Sequence, residues 1–216
     1  NISGGTLNGA PLSTFTTPAS SITTYTGGTD LITNVDWLSN GVFNFNSTFA
    51  DLVIRSVSAT DPTDFTVGAT TGIMNLNHSS NSADIRGTVL TGGIAGLVNL
   101  GTLNANATTV DTRLLIPFDN GGSFNVTGLR QVNLQGNSIN GGLISITGAG
   151  TTLALNNDIT LSLVAGSSFA GSTGALSVLA NEILDVTVAQ TLPVGMTLNL
   201  DSGTINNAQN LSILNA

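Results

Sequence analysis

Gly122-Ser123-Phe124-Asn125-Val126-Thr127 opens the stretch that decides the fold. It continues into Gln131-Val132-Asn133-Leu134-Gln135 and then Leu143-Ile144-Ser145-Ile146-Thr147. Each run alternates apolar and polar residues with a period of two. That is the pattern of a strand with one buried face. Glycine- and asparagine-rich clusters such as Asn140-Gly141-Gly142 separate the runs. Strands of this length recurring at roughly 8–12 residue spacing point to a sandwich, a barrel or a solenoid.

The same texture extends in both directions. Leu52 to Val57, Leu153 to Asn156, Ile159 to Leu163 and Met196 to Leu200 all read as strands. Helix signals are weak. The best candidate is Ser177 to Val188, with Leu179, Ile183 and Val186 at helical spacing, and even there Ile183 to Val188 reads more easily as a strand.

A four-residue repeat separates a solenoid from its rivals. Glycine, any residue, an apolar residue and Asn recur at Gly5-Thr6-Leu7-Asn8, Gly41-Val42-Phe43-Asn44, Gly72-Ile73-Met74-Asn75 and Gly96-Leu97-Val98-Asn99. Further copies are Gly101-Thr102-Leu103-Asn104, Gly122-Ser123-Phe124-Asn125 and Gly203-Thr204-Ile205-Asn206. About one copy is expected by chance from this composition, so the repeat is real. Glycine suits a corner that needs a positive φ or a close backbone approach. The apolar residue points inward. Asn suits a bend, a left-handed conformation or a stack on the Asn of the next coil. The fold predicted is all-β, a right-handed parallel β-solenoid, with a β-sandwich as the alternative.

The spacing of the repeat is uneven in the first half, and the aromatic residues gather there: Phe15, Tyr25, Trp37, Phe43, Phe45, Phe49 and Phe65. Residues 1–65 therefore read as an aromatic-rich N-terminal segment or cap, and 66–216 as solenoid-like repeats. A single continuous domain over 1–216 is also compatible with the pattern. An ordinary aromatic mini-core is the preferred account of the front segment.

Composition removes several classes of function. Apolar residues make up 40% of the 216, which argues against disorder. Charged residues are only 7%, against about 25% in ordinary domains. The cations are Arg55, Arg86, Arg113 and Arg130; there is no lysine, and Glu182 is the one glutamate. Asn, Ser, Thr and Gly together exceed about 45% of the chain, a composition poor for helices. A net charge of -8 with four scattered arginines argues against nucleic acid and against anionic membrane surfaces. No cysteine is present, so disulfides and thiolate metal sites are excluded. No run of 18 apolar residues predicts membrane insertion. Asn1 is not Met, which suggests a processed protein or a piece of a longer one.

The run from Gly122 to Gly142, and Gly150-Thr151-Thr152-Leu153-Ala154-Leu155-Asn156-Asn157-Asp158, resemble the β-helical passengers of bacterial autotransporters and filamentous-haemagglutinin-like adhesins. The resemblance covers residues 66–216 and is one of texture. Neither an Arg-Gly-Asp nor a Gly-Gly-x-Gly-x-Asp calcium repeat accompanies it. It implies an exported, rod-like, adhesive or scaffolding part, extracellular or on the cell surface.

Candidate chemistry is sparse. His78 is the only histidine, so any Ser/His/Asp triad would be built on it; it reads instead as a solvated turn residue. Asp61 and Asp64 flank Pro62 and read as turn carboxylates, although β-helices that act on polysaccharides use such pairs. Asp30 with Asp36, and Asp111 with Asp119, are the other pairs that coils could bring together. No catalytic or cofactor-binding residue is assigned and no cofactor is expected. A structural calcium ion is the one metal left open by the aspartates. Six glycosylation sequons, at Asn1, Asn46, Asn77, Asn106, Asn125 and Asn210, are what this composition yields by chance.

The function expected is that of a non-enzymatic structural or adhesive surface protein, self-associating with identical subunits into filaments or layers. A pilin-like sandwich polymerising through a donor strand at Ile2 to Ile22 is one alternative. A β-helix that binds or acts on host or surface glycans is the other.

Overall fold

The computed structural model describes residues 1–10, 12–57, 62–79, 84–89 and 94–214. It is a parallel β-solenoid of nine turns. Two sheets run its length and a third runs most of it. Sheet I has nine strands, from Gly5–Leu7 to Thr197–Leu200. Sheet II has nine, from Thr14–Thr17 to Thr204–Asn206. Sheet III has seven, from Ile22–Tyr25 to Ser168–Gly171. On the same side, Gln190–Leu192 and Leu211–Ile213 form a further pair in the last two turns. Among the described residues every strand pairs with the strand three elements away in sequence, and every pair is parallel. The antiparallel hairpins of a sandwich are therefore replaced by coils, and the sandwich alternative is overturned. Residues 2–22 form the strands Gly5–Leu7 and Thr14–Thr17 and the start of Ile22–Tyr25 in the first turn.

Period-two alternation explains each strand. In Val42–Phe45, Phe43 and Phe45 are buried while Asn44 faces outward. In Thr102–Ala107, Leu103, Ala105 and Ala107 point inward. The inward residues of all three sheets form one continuous apolar core. Residues 1–65 contribute strands to the same three sheets as the rest. Tyr25, Trp37, Phe43, Phe45 and Phe65 fill the core of the first turns, with Trp37 5.3 Å from Phe43, 5.1 Å from Phe65 and 5.2 Å from the exposed Phe15, whereas Phe49 faces solvent. Tyr25 stacks on Phe45 at 5.4 Å. The stretch from Ser177 to Val188 supplies the strands Ala175–Val178 and Ile183–Val186, not a helix. The only helical turn among the described residues is the 3₁₀ segment Ala208–Asn210.

The uneven repeat has a topological cause. Four copies, starting at Gly41, Gly72, Gly101 and Gly122, lie in register on successive strands of sheet III. The other three fall elsewhere: Gly5 opens a sheet I strand, while Gly96 and Gly203 lie on or against sheet II. The five-residue gap from Gly96 to Gly101 is one corner, not one coil. Turn length also varies, from 20 residues between Asn120 and Asn140 to 33 between Asp51 and Asp84.

Glycine at the sheet III corner is required by close approach. A Cβ on Gly122 would lie 2.3 Å from the Gly101 carbonyl oxygen, and one on Gly142 would lie 2.2 Å from that of Gly122. Those same carbonyls accept the next turn's N–H: Ser123 donates to Gly101 and Leu143 to Gly122, both at 2.8 Å. A positive φ is needed instead at the following corner, where Gly128 has φ 114° and Gly148 φ 116°.

Stacking is the role of Asn. On the outer face of sheet III, Asn75 donates from Nδ2 to Asn44 Oδ1 at 2.8 Å, Asn104 to Asn75 at 2.8 Å, and Asn125 to Asn104 at 2.9 Å. A second ladder is buried at the corner between sheets II and III. There Asn99 donates to Asn120 Oδ1 at 2.7 Å and Asn120 to Asn140 Oδ1 at 2.6 Å. Each of these amides also caps a corner carbonyl, of Ser123, Leu143 and Gly142 respectively. In this way three corner carbonyls are satisfied away from solvent, while Asn99 Oδ1, at the head of the ladder, is buried without a donor.

Candidate functional site

The residues with chemical potential do not converge where the chain spacing suggested. His78 is buried, at 6% exposure, because it continues the inward positions Met74 and Leu76. This corrects the expectation of a solvated turn. Its ring meets the edge of Phe45 with centroids 5.9 Å apart. Nε2 lies 3.3 Å from the Asp111 carbonyl oxygen, which can only accept, so Nε2 carries the proton. Nδ1 is buried with no hydrogen-bond partner. Burial pushes the imidazole below its ordinary pKa, and the nearby Arg113 charge adds to this; the Asp111 carbonyl opposes it.

Asp61 lies outside the described residues. Asp64, expected in a turn, sits within the sheet II strand Thr63–Val67 and faces outward, the opposite side from Phe65. Asp30 precedes the sheet I strand Leu31–Thr33, whereas Asp36 opens the sheet II strand Asp36–Ser39. Asp111 likewise precedes Thr112–Leu115 of sheet I, and Asp119 lies in Phe118–Asn120 of sheet II. Both expected pairs are thus split between faces, and the carboxylates regroup by sheet.

The sheet I group is structural. Asp51 N–H donates to Asp30 Oδ1 at 3.0 Å, and Asp84 N–H to Asp51 Oδ1 at 2.8 Å. Arg86 Nε lies 2.7 Å from Asp51 Oδ2, and its Nη2 lies 3.4 Å from Asp30 Oδ2. Arg113 grips Asp84 with two bonds, 2.7 and 2.8 Å. Each aspartate closes the start of a coil, and arginine neutralises the column. Burial raises the Asp84 pKa, and the Arg113 hydrogen bonds and charge oppose that rise.

Glu182 was noticed in the sequence only as a lone glutamate. It is 2% exposed, and its two oxygens accept the N–H groups of Asp158 at 2.8 Å and Ile159 at 2.6 Å. It thereby holds a corner where Asn157 and Asp158 both have positive φ, 81° and 57°. An isolated acidic residue followed by a strand carries no sequence signal for that role.

The sheet II group differs from that of sheet I. Asp64 N–H donates to Asp36 Oδ1 at 3.0 Å. Burial raises the Asp64 pKa, and the negative charges of Asp36 and Asp119 raise it further. Beside it a groove of about 180 Å³ crosses four successive turns. Its walls include Asp64, Ile94, Pro117, Asp119 and Ile139, and Gly96 forms a notch in its floor. Ile94 is 63% exposed and Ile139 47%. Among the described residues, no group of three or more His, Asp or Glu side chains is placed to hold a metal ion, and no helix is long and apolar enough to cross a membrane.

These features define a parallel β-solenoid with one arginine-neutralised acidic column and one grooved acidic face. No family model, no curated protein and no solved structure matches the chain.

Proposed function

We propose that the chain is a structural or adhesive segment of an exported bacterial surface protein, a spacer whose copies associate with one another, and not an enzyme. The observation that carries this reading is the long parallel stack. Two sheets pass through all nine turns, the third side is a seven-stranded sheet followed by a separate pair, and two side-chain amide ladders tie the middle turns together. Each turn buries its apolar face only against its neighbours, so the stack behaves as an elongated unit. His78, the obvious candidate for catalysis, is engaged with Phe45 and Asp111.

Association follows from the first and last turns. All charged side chains fall between Asp30 and Asp201, so of the two terminal turns the first carries none and the last only Asp201, between the strands Thr197–Leu200 and Thr204–Asn206. Their strands pair on one side only. Charged side chains are a usual defence of such edges. Here Ile22 is 70% exposed on the first turn and Ile213 49% on the last. End-on stacking of copies pairs these edges with Asp201 as the one charged side chain in either terminal turn, and a head-to-tail contact of this kind builds filaments. Sedimentation over a range of concentrations, with negative-stain microscopy, tests the reading. Filaments or a ladder of oligomers, dispersed by Ile22→Asp and Ile213→Asp, are expected. A monomer at every concentration would overturn it.

A further inference from the structure

We propose that the groove on sheet II is a docking site for a lysine-bearing segment of a different protein, the aliphatic stem lying on Ile94, Pro117 and Ile139 and the ammonium group between Asp64 and Asp119. The argument begins with the register. Asp64 pairs with Gly96, and Gly96 is adjacent to Leu97, which pairs with Phe118. Asp64 and Asp119 therefore stand two strands apart, about 10 Å, and two residues apart along the strand direction, about 7 Å. A cation in the groove between them lies within electrostatic reach of both carboxylates. Gly96, directly beside Asp64, lets the Asp64 carboxylate lie over its backbone toward the groove; a Cβ there would come within 2.5 Å of Asp64 Oδ1.

Charge complementarity selects the occupant. The chain carries twelve acidic and four basic residues. On sheet I, Asp30, Asp51 and Asp84 are paired with Arg86 and Arg113. On sheet II the neighbours that act electrostatically on Asp64 are two further carboxylates. This face therefore holds repulsion that an incoming cation relieves. Two walls of exposed isoleucine flank it, and apolar surface next to a carboxylate suits a side chain with a hydrocarbon stem and a charged tip. The chain contains no lysine, so a second copy cannot supply one. The site is separate from the edges invoked for self-association, and neither proposal depends on the other.

The test uses a fluorescent octapeptide of alternating Lys and Thr, measured by anisotropy at physiological salt. The full chain is compared with Asp64→Asn/Asp119→Asn and with Asp158→Asn/Asp201→Asn, which removes the same charge from other exposed positions. Circular dichroism checks that each variant is folded. At least a tenfold weaker Kd in the first variant and less than a twofold change in the second are expected. The methyl signals of Ile94 and Ile139 should shift on binding. Replacing Lys by norleucine in the peptide should abolish binding. Equal loss in both variants would show diffuse attraction to a negative surface and overturn the proposal. So would absence of binding, tighter binding of the arginine version, or binding that leaves both isoleucine signals unmoved.

Discussion

Asn99 donates from its buried amide to Asn120 Oδ1 at 2.7 Å, across 21 residues of chain. The column that contains this pair begins with the hydroxyls Thr17 and Ser39 and ends with the apolar Leu163 and Val186. Val67 precedes Asn99 in register and Leu163 follows Asn140. Three amides thus stand in the middle of the file, between Val67 and Leu163. The sheet II–III corner carbonyls they cap are the reason.

Removing the middle rung should be costly. Asn120→Ala leaves the Asn140 oxygen without its donor and the Leu143 carbonyl without its cap. A loss of about 1–3 kcal/mol in urea denaturation is expected for stranding such buried groups. The triple change Asn99→Val, Asn120→Leu, Asn140→Leu should cost less than the sum of three single changes, because no amide is left half-satisfied.

Glycine at the corner offers a paired comparison. Gly122→Ala forces a Cβ into backbone at 2.3 Å and should destabilise by about 1–3 kcal/mol. Gly28→Ala meets nothing within 4 Å and should be neutral or stabilising by about 0.4–1 kcal/mol. Equal effects at the two positions, measured by thermal unfolding, would contradict the close-approach account.

Asp64 should oppose folding at neutral pH. Its folded pKa is raised above the unfolded value, so its contribution is fully present below the unfolded pKa and is lost as pH rises through the folded one. Asp64→Asn cannot ionise. It should raise Tm at pH 7 by a few degrees at most, with the gain shrinking as pH falls towards about 4, near the unfolded carboxylate value.

His78 has the opposite sign. Its folded pKa is lowered, so its contribution is present above the unfolded value near 6.5 and is lost as pH falls through the folded pKa. Phe45, the Asp111 carbonyl and Arg113 are the groups facing the ring. His78→Phe should lie within about 1 kcal/mol of the wild type at pH 8 and exceed it in stability at pH 5. Parallel pH profiles for the two proteins would exclude the histidine as the source.

The strands were legible because alternation is a local property. Gln131–Leu134 and Leu143–Thr147 stand in the structure where the pattern placed them. Registry between coils was not legible. The column Asp30, Asp51, Asp84 has steps of 21 and 33 residues, and no fixed period aligns it. The same irregularity hid the grouping of Asp64 with Asp36 and Asp119, and with it the groove. His78 was misread because Asn77 and Ser79 on either side suggest a loop, whereas the inward phase runs on from Leu76. The repeat pointed to the right architecture although only four of its seven copies share a ladder.

The two amide ladders run in opposite senses. The buried one donates from Asn99 toward Asn140, and the outer one donates from Asn125 back toward Asn44. Their dipoles oppose one another along the solenoid axis. Duplicating a coil that carries a rung of each would therefore lengthen the molecule without accumulating electrical polarity between its tips.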